Sequence, residues 1–169
     1  LGIRRIGGVE AVTRPKTYLE SSVISYLAAR PSRDIVATAH QQLTREWWER
    51  KRENFDLYVS AEVLNEIRRG DPDASRLRLS FVESLPVLEA DDDARSLGAQ
   101  ILRTSALPQK AFADAMHIAI ATVNGMDFLL TWNCTHIANG IVQRAIGRLS
   151  REMGYEPPIV VTPEELMEG

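Results

Sequence analysis

Four polar residues interrupt apolar runs that lie far apart in this sequence. They are Glu20 in KTYLESSVISYL, Glu66 in YVSAEVLNEIRRG, Asp114 in AFADAMHIAIA and Asn133 in MDFLLTWNCTHIAN. Each falls at or near the end of an apolar strand pattern or on the face of an apolar helix pattern. A buried ionised carboxylate costs several kcal/mol unless something pairs it. Three acids brought together repel and raise one another's pKa values unless a cation lies among them. An all-oxygen cluster of three carboxylates and a carboxamide suits a hard divalent ion such as Mg²⁺ or Mn²⁺. The chemistry this pattern implies is metal-assisted hydrolysis.

Around these four, the sequence supplies hydroxyl, imidazole and amide groups. Ser22 follows the first acid, and Thr131, His136 and Asn139 flank Asn133. All four are read as hydrogen-bond partners of the ligands or as phosphate contacts. Glu62 lies one turn before Glu66, so either glutamate could face the site. His117, three residues after Asp114, shares its helix face and reads as a core histidine. Trp47 and Trp48 read first as core, with the long helix that carries them as the candidate surface for a partner. Cys134 has no base placed beside it by sequence and is not read as a nucleophile. No glycine-rich phosphate loop, G-x-S-x-G elbow or H-E-x-x-H helix occurs.

The elements that must position these groups alternate along the chain. KTYLE reads as a strand, with Ser21 or Ser22 capping the helix that follows. A polar helix over about 33–53 carries Ile35, Ala39, Leu43 and Trp47 on one stripe. FDLYVS is a second strand, and AEVLNEIRRG a helix closed by Gly70. Asp71 and Pro72 open another helix, LPVLEA is a third strand, and three aspartates at 91–93 begin the next helix. Residues 109–123 form an apolar helix, DFLLTW a buried fourth strand, 140–153 a helix and PPIVV a last strand, with Pro163 opening a short terminal helix. Strands separated by helices of this length need crossover connections, hence a mainly parallel sheet in a three-layer α/β/α domain. In such a sheet ligands bind beyond the carboxyl ends of the strands, the rim where Glu20 and Asn133 fall.

The bulk numbers fit this reading. The chain has 169 residues, a net charge of −3 and a single cysteine. That length suits one domain, placed at 16–169, with 1–15 read as a disordered extension or leading remnant. One cysteine excludes an internal disulfide framework and any Cys-based zinc site, which fits a reducing cytoplasm. No apolar run approaches the ~20 residues of a membrane span. The acidic balance argues against a general nucleic-acid coat, yet arginines are grouped, as at 68–69 and at 144, 148 and 151.

Together YLESSVISYL, VSAEVLNEI, ADAMHIAIA and LLTWNCTHIAN resemble, in this order, the four motifs of the PIN-domain family and its VapC-like toxins. The likeness spans Lys16 to about Glu165. It implies a metal-dependent endoribonuclease in which Glu20, Glu66, Asp114 and Asn133 hold Mg²⁺ or Mn²⁺. It also implies an RNA substrate, a homodimer and a cognate antitoxin that covers the site. Two departures stand out: the family's first acid is usually Asp and here is Glu20, and its fourth position is often Asp and here is Asn133. Both favour a second reading, a degenerate PIN-like module that binds RNA or protein without turnover. A flavodoxin-like or Rossmann binding protein is a third, lacking its phosphate turn.

Overall fold

Tyr18 and Leu19 are fully buried at the centre of a parallel five-stranded sheet, and everything at the site hangs from the strand they belong to. The computed structural model describes residues 13–104, 107–108 and 111–168. Positions 1–12 of the expected leading extension lie outside the described residues, as do Gln109 and Lys110 at the expected start of an apolar helix. The order is β1 (Lys16–Leu19), α1 (Ser21–Ala28), α2 (Ile35–Arg50), β2 (Asp56–Ser60), α3 (Ala61–Ile67), α4 (Pro72–Val82) and β3 (Val87–Leu88). There follow α5 (Asp92–Thr104), α6 (Phe112–Val123), β4 (Phe128–Leu130), α7 (Gly140–Glu152) and β5 (Ile159–Val161).

The strands lie in the order β3-β2-β1-β4-β5, every pair parallel. From β1 the chain moves out one way through β2 to β3. It then returns through α5 and α6 to place β4 on the other side of β1. Register pairs Tyr18 with both Tyr58 and Leu129. The reversal between β1 and β4 is the switch point at which a doubly wound sheet opens a crevice, so the α/β architecture expected from the sequence is the observed one.

Local chemistry sets the boundaries. Gly70 (φ +89°) and Gly125 (φ +64°) take left-handed conformations that end α3 and α6. Asp71 caps α4 with Pro72 at its first turn, as read from the sequence. Helices α5 and α6 approach closely at Gly98, where an added Cβ would lie 2.6 Å from the Met116 sulfur. That packing seats α6, whose residues from Ala115 to Thr122 are all buried.

Two expectations are corrected. The buried face of α2 is Gln41, Thr44, Trp47 and Trp48, whereas Ile35 is 86% exposed. Polar residues can take that face because they are satisfied there: Gln41 donates to the Arg30 carbonyl, and Thr44 accepts from the Trp132 indole. Trp47 and Trp48 are buried, as the core reading of the pair has it. After Pro163 there are turns over 163–167 and no helix; Thr162 and Glu165 form the reciprocal contacts of a capping box without a helix propagating from them.

Candidate active site

Glu20 is the residue immediately after β1, and its extended backbone makes it the N-cap of α1. The cap is therefore this glutamate rather than Ser21 or Ser22. Its extra methylene lets the carboxylate fold back over the helix N-terminus, where the dipole favours negative charge. Oε1 accepts from the Ser22 amide (3.1 Å) and the Ser21 hydroxyl (2.7 Å). Oε2 accepts from Thr131 Oγ1 (2.7 Å) and, in a short hydrogen bond, from the Ser22 hydroxyl. Glu20 is only 5% exposed. Its charge is tolerated because the Ser22 amide and the Ser22 and Thr131 hydroxyls donate to it, with Ser21 as a further hydroxyl within reach.

Glu66 reaches the same place from α3. Its Oε2 accepts a short hydrogen bond from Ser21, and its Oε1 lies 3.1 Å from His117 Nε2. Of the two glutamates on this helix, Glu66 is the one brought to Glu20. Ser21 Oγ thus faces both carboxylates with a single proton to give. Two acids share one donor, an arrangement that a cation would relieve.

His117 joins this pair to the core. Its Nδ1 lies 2.7 Å from the Tyr18 hydroxyl, which lies 2.7 Å from Ser60 Oγ. Ser60 in turn accepts from the Val63 amide as the N-cap of α3. Burial pushes the His117 imidazole down, but the hydrogen bond to Glu66 and the charges of Glu20, Glu66 and Asp114 outweigh it, leaving the pKa raised. Burial likewise pushes Glu66 up, and the His117 and Ser21 contacts more than offset it, leaving the carboxyl lowered. For Tyr18, burial dominates over the Ser60 hydrogen bond and the phenol stays neutral. His117 is buried in the core, as the sequence reading had it, but its Nε2 faces the carboxylates and belongs to the same cluster of ligand atoms, which that reading did not expect.

Asp114, in the first turn of α6, forms a second cluster with the loop after β4. Its Oδ1 accepts from Asn133 Nδ2 (3.0 Å), and its Oδ2 lies 2.6 Å from His136 Nδ1. Asn133 Oδ1 accepts the His136 amide (3.0 Å), which folds the loop back on itself. Thr131 connects the clusters, since its hydroxyl donates to Glu20 and accepts the Asn133 amide (2.9 Å). Ser22 does likewise, accepting the Trp132 amide at 2.9 Å. Asn139 serves elsewhere: its Oδ1 caps α7 by accepting from the amides of Ile141 and Val142.

Of the residues singled out from sequence, Glu20, Glu66, Ser22 and Thr131 meet in one hydrogen-bonded cluster, with Asp114, Asn133 and His136 in the adjoining one. Ser21, Tyr18 and Ser60 were not expected there. Tyr18 carried a usable signal, because residues two apart on a strand share a face and Tyr18 is two before Glu20. Among the described residues, ligand atoms of Glu20, Glu66 and His117 lie within 4.8 Å of one another. That group, with its shared serine proton, fits a divalent cation. Asp114 lies outside it, held by Asn133 and His136.

Comparison with known proteins bears on the fold. No protein-family model and no curated protein matches the sequence. Among solved structures the chain is similar to VapC20 of Mycobacterium tuberculosis, a Sarcin-Ricin loop cleaving toxin. The TM-score is 0.58 and the identity 17%, over 74% of this chain and 95% of that one. It is also similar to VapBC2 from Rickettsia felis, bound to a DNA fragment from their promoter, with TM-score 0.54, 15% identity, and coverage of 87% and 98%. At these identities the likeness establishes the fold, the parallel α/β/α arrangement of PIN-domain VapC proteins. Among the described residues no helix is long and apolar enough to cross a membrane.

Proposed function

We propose that this protein is a metal-dependent endoribonuclease that hydrolyses RNA phosphodiester bonds, acting as the toxin of a toxin–antitoxin pair. The observation that carries this reading is the meeting of Glu20 and Glu66 at the β1/β4 switch point, one shared hydroxyl between them, with Asp114 and Asn133 tied to them through Thr131. The fold shared with a toxin that cleaves the Sarcin-Ricin loop supports the substrate class. The VapBC2 likeness supports a cognate antitoxin as partner; an antitoxin tail over the acids, a homodimer and a cytoplasmic location are part of the same proposal.

In this reading Glu20, Glu66 and Asp114 hold one or more Mg²⁺ or Mn²⁺ ions, and Asn133 assists with its amide. The ion supplies Lewis acidity, making water a better nucleophile and offsetting charge on the phosphate oxygens. The chain's own groups do the positioning. Ser21, Ser22 and Thr131 aim the Glu20 and Glu66 carboxylates, His117 braces Glu66 against the core, and His136 fixes Asp114. Asn139 orients the loop only by capping α7.

The experiment is incubation of purified protein with structured RNA in Mg²⁺ or Mn²⁺ and, in parallel, in EDTA. Cutting with either metal and none with EDTA is the expected result. Absence of cutting in both, with RNA or a partner protein still bound, supports the non-catalytic module instead.

A further inference from the structure

A groove of about 550 Å³ opens beside the carboxylates, between α1 and the start of α2. Ser22 forms its inner end, and Ser25, Tyr26, Arg30, Ser32 and Gln41 line it outward. Because the Ser22 hydroxyl donates to Glu20, the groove begins at the proposed site of chemistry.

Its walls are held in place. Gln41, buried on α2, donates to the Arg30 carbonyl (2.9 Å) and accepts the Ser32 amide (3.2 Å). Arg45 donates to the Ala29 carbonyl at 2.7 Å. These contacts clamp the connection between the two helices. The Tyr26 ring stands edge-on to Trp132 (6.3 Å, 77°) and to His40 (5.3 Å, 89°), so it is a fixed aromatic wall.

The charge of the groove is opposite to that of the site. Arg30 is its single charged lining residue, and it is exposed. Its guanidinium makes no hydrogen bond or ion pair among the described residues. Asp34, the acid nearest in sequence, is spent capping α2 through the Ala37 amide (2.8 Å). A cation, the Ser25 and Ser32 hydroxyls and an aromatic ring, leading into a cluster of acids, match a polyanion with stackable bases.

We propose that this groove is a nucleotide subsite that guides single-stranded RNA into the carboxylates. Arg30 holds a phosphate, the Ser25 and Ser32 hydroxyls meet the sugar–phosphate edge, and Tyr26 stacks a base. The inference rests on the endoribonuclease reading for its catalytic readout and has a binding readout that does not depend on it.

The test uses the full chain and a fluorescein-labelled single-stranded RNA oligomer of mixed sequence. Arg30→Ala should raise KM and the dissociation constant about tenfold with kcat within about twofold. Arg30→Glu should raise both further. The slope of log Kd against log salt should become shallower by about 0.7, one phosphate contact on a single strand. Tyr26→Phe, which keeps the ring, should behave as wild type, and Tyr26→Ala should weaken binding several-fold. Removing a cation elsewhere, Arg95→Ala, should change none of these. If wild type cuts RNA and both Arg30 variants match it in KM and salt slope, the subsite is overturned while the nuclease reading stands. If wild type binds the oligomer, cuts neither it nor structured RNA in Mg²⁺ or Mn²⁺, and Arg30→Glu abolishes binding, the subsite stands and the nuclease reading falls. If wild type neither binds nor cuts this oligomer yet cuts structured RNA, the subsite falls and the nuclease reading stands; if it acts on neither RNA, both fall.

Discussion

The two halves of the candidate site are built on opposite plans. The Glu20–Glu66 half is anchored in the core: Glu20 is 5% and His117 1% exposed, and although the Glu66 side chain is 23% exposed, a chain of contacts runs from it through His117 and Tyr18 to Ser60 on the neighbouring strand. The Asp114–Asn133–His136 half sits on the first turn of a helix and a loop, with the Asp114 side chain 20% and the His136 side chain 25% exposed. One half is preorganised by packing. The other is held by a few hydrogen bonds among its own members, which a ligand could re-aim at small cost. The difference separates effects on folding from effects on function.

The largest loss of stability should come from the anchored half. His117→Ala removes a buried ring, leaves the Tyr18 hydroxyl without its nitrogen partner and leaves Glu66 without its brace. A loss of about 3 kcal/mol is expected in urea unfolding. His136→Ala in the open half should cost under about 1 kcal/mol. Equal losses would remove the distinction between the halves.

Glu20→Gln comes next. Its four donors converge on a carboxylate, and an amide nitrogen in place of one oxygen would face hydroxyls that now donate. About 2 kcal/mol of stability should go, visible as a lower urea midpoint with an unchanged slope. A variant as stable as wild type would mean that the four hydrogen bonds do not form.

A smaller effect sharpens the comparison from the other side. Asn133 donates to Asp114 at 3.0 Å, so Asn133→Asp places two carboxylates at that separation. Metal-free protein should lose about 1 kcal/mol. The rise in Tm on adding Mn²⁺ should grow, since ligand stabilisation follows affinity. No change in the Mn²⁺ shift would separate Asn133 from cation binding.

The smallest effect expected is a pH dependence, read with a chelator present. The raised His117 pKa contributes stability that is fully present below the ordinary histidine value of 6.5 and is lost as pH rises through the folded value. The lowered Glu66 pKa contributes stability present above the ordinary carboxylate value of 4.5 and lost as pH falls through its folded value. The advantage of wild type over His117→Gln should therefore be greatest between these values and shrink on the alkaline side. An advantage independent of pH contradicts the pairing.

The same contrast explains how much was legible in the sequence. The succession of strands and helices, the parallel sheet and the expectation that Glu20 meets Glu66 follow from apolar runs broken by single acids, a pattern visible over a few residues, whereas the order of the strands in the sheet does not. The stripe on α2 was misread because Gln41 and Thr44 look solvent-facing until the backbone and indole that satisfy them are in view. Ser21 gave no signal of its own, since a serine after a strand reads equally as a helix cap. Its contact with Glu66 spans 45 positions. The division of the four expected ligands into two clusters was equally hidden, because it depends on how a loop folds back through Asn133 onto His136.

The central claim is that the Glu20–Glu66 cluster and the adjoining Asp114 cluster act together in cation-dependent cleavage, and Asp114→Asn tests it most directly. Asparagine keeps the shape and can still contact Asn133 and His136, so folding should change by less than about 1 kcal/mol. RNA cleavage in Mg²⁺ or Mn²⁺ should fall by about a hundredfold or more. A correctly folded Asp114→Asn protein that cuts RNA as fast as wild type would contradict the account.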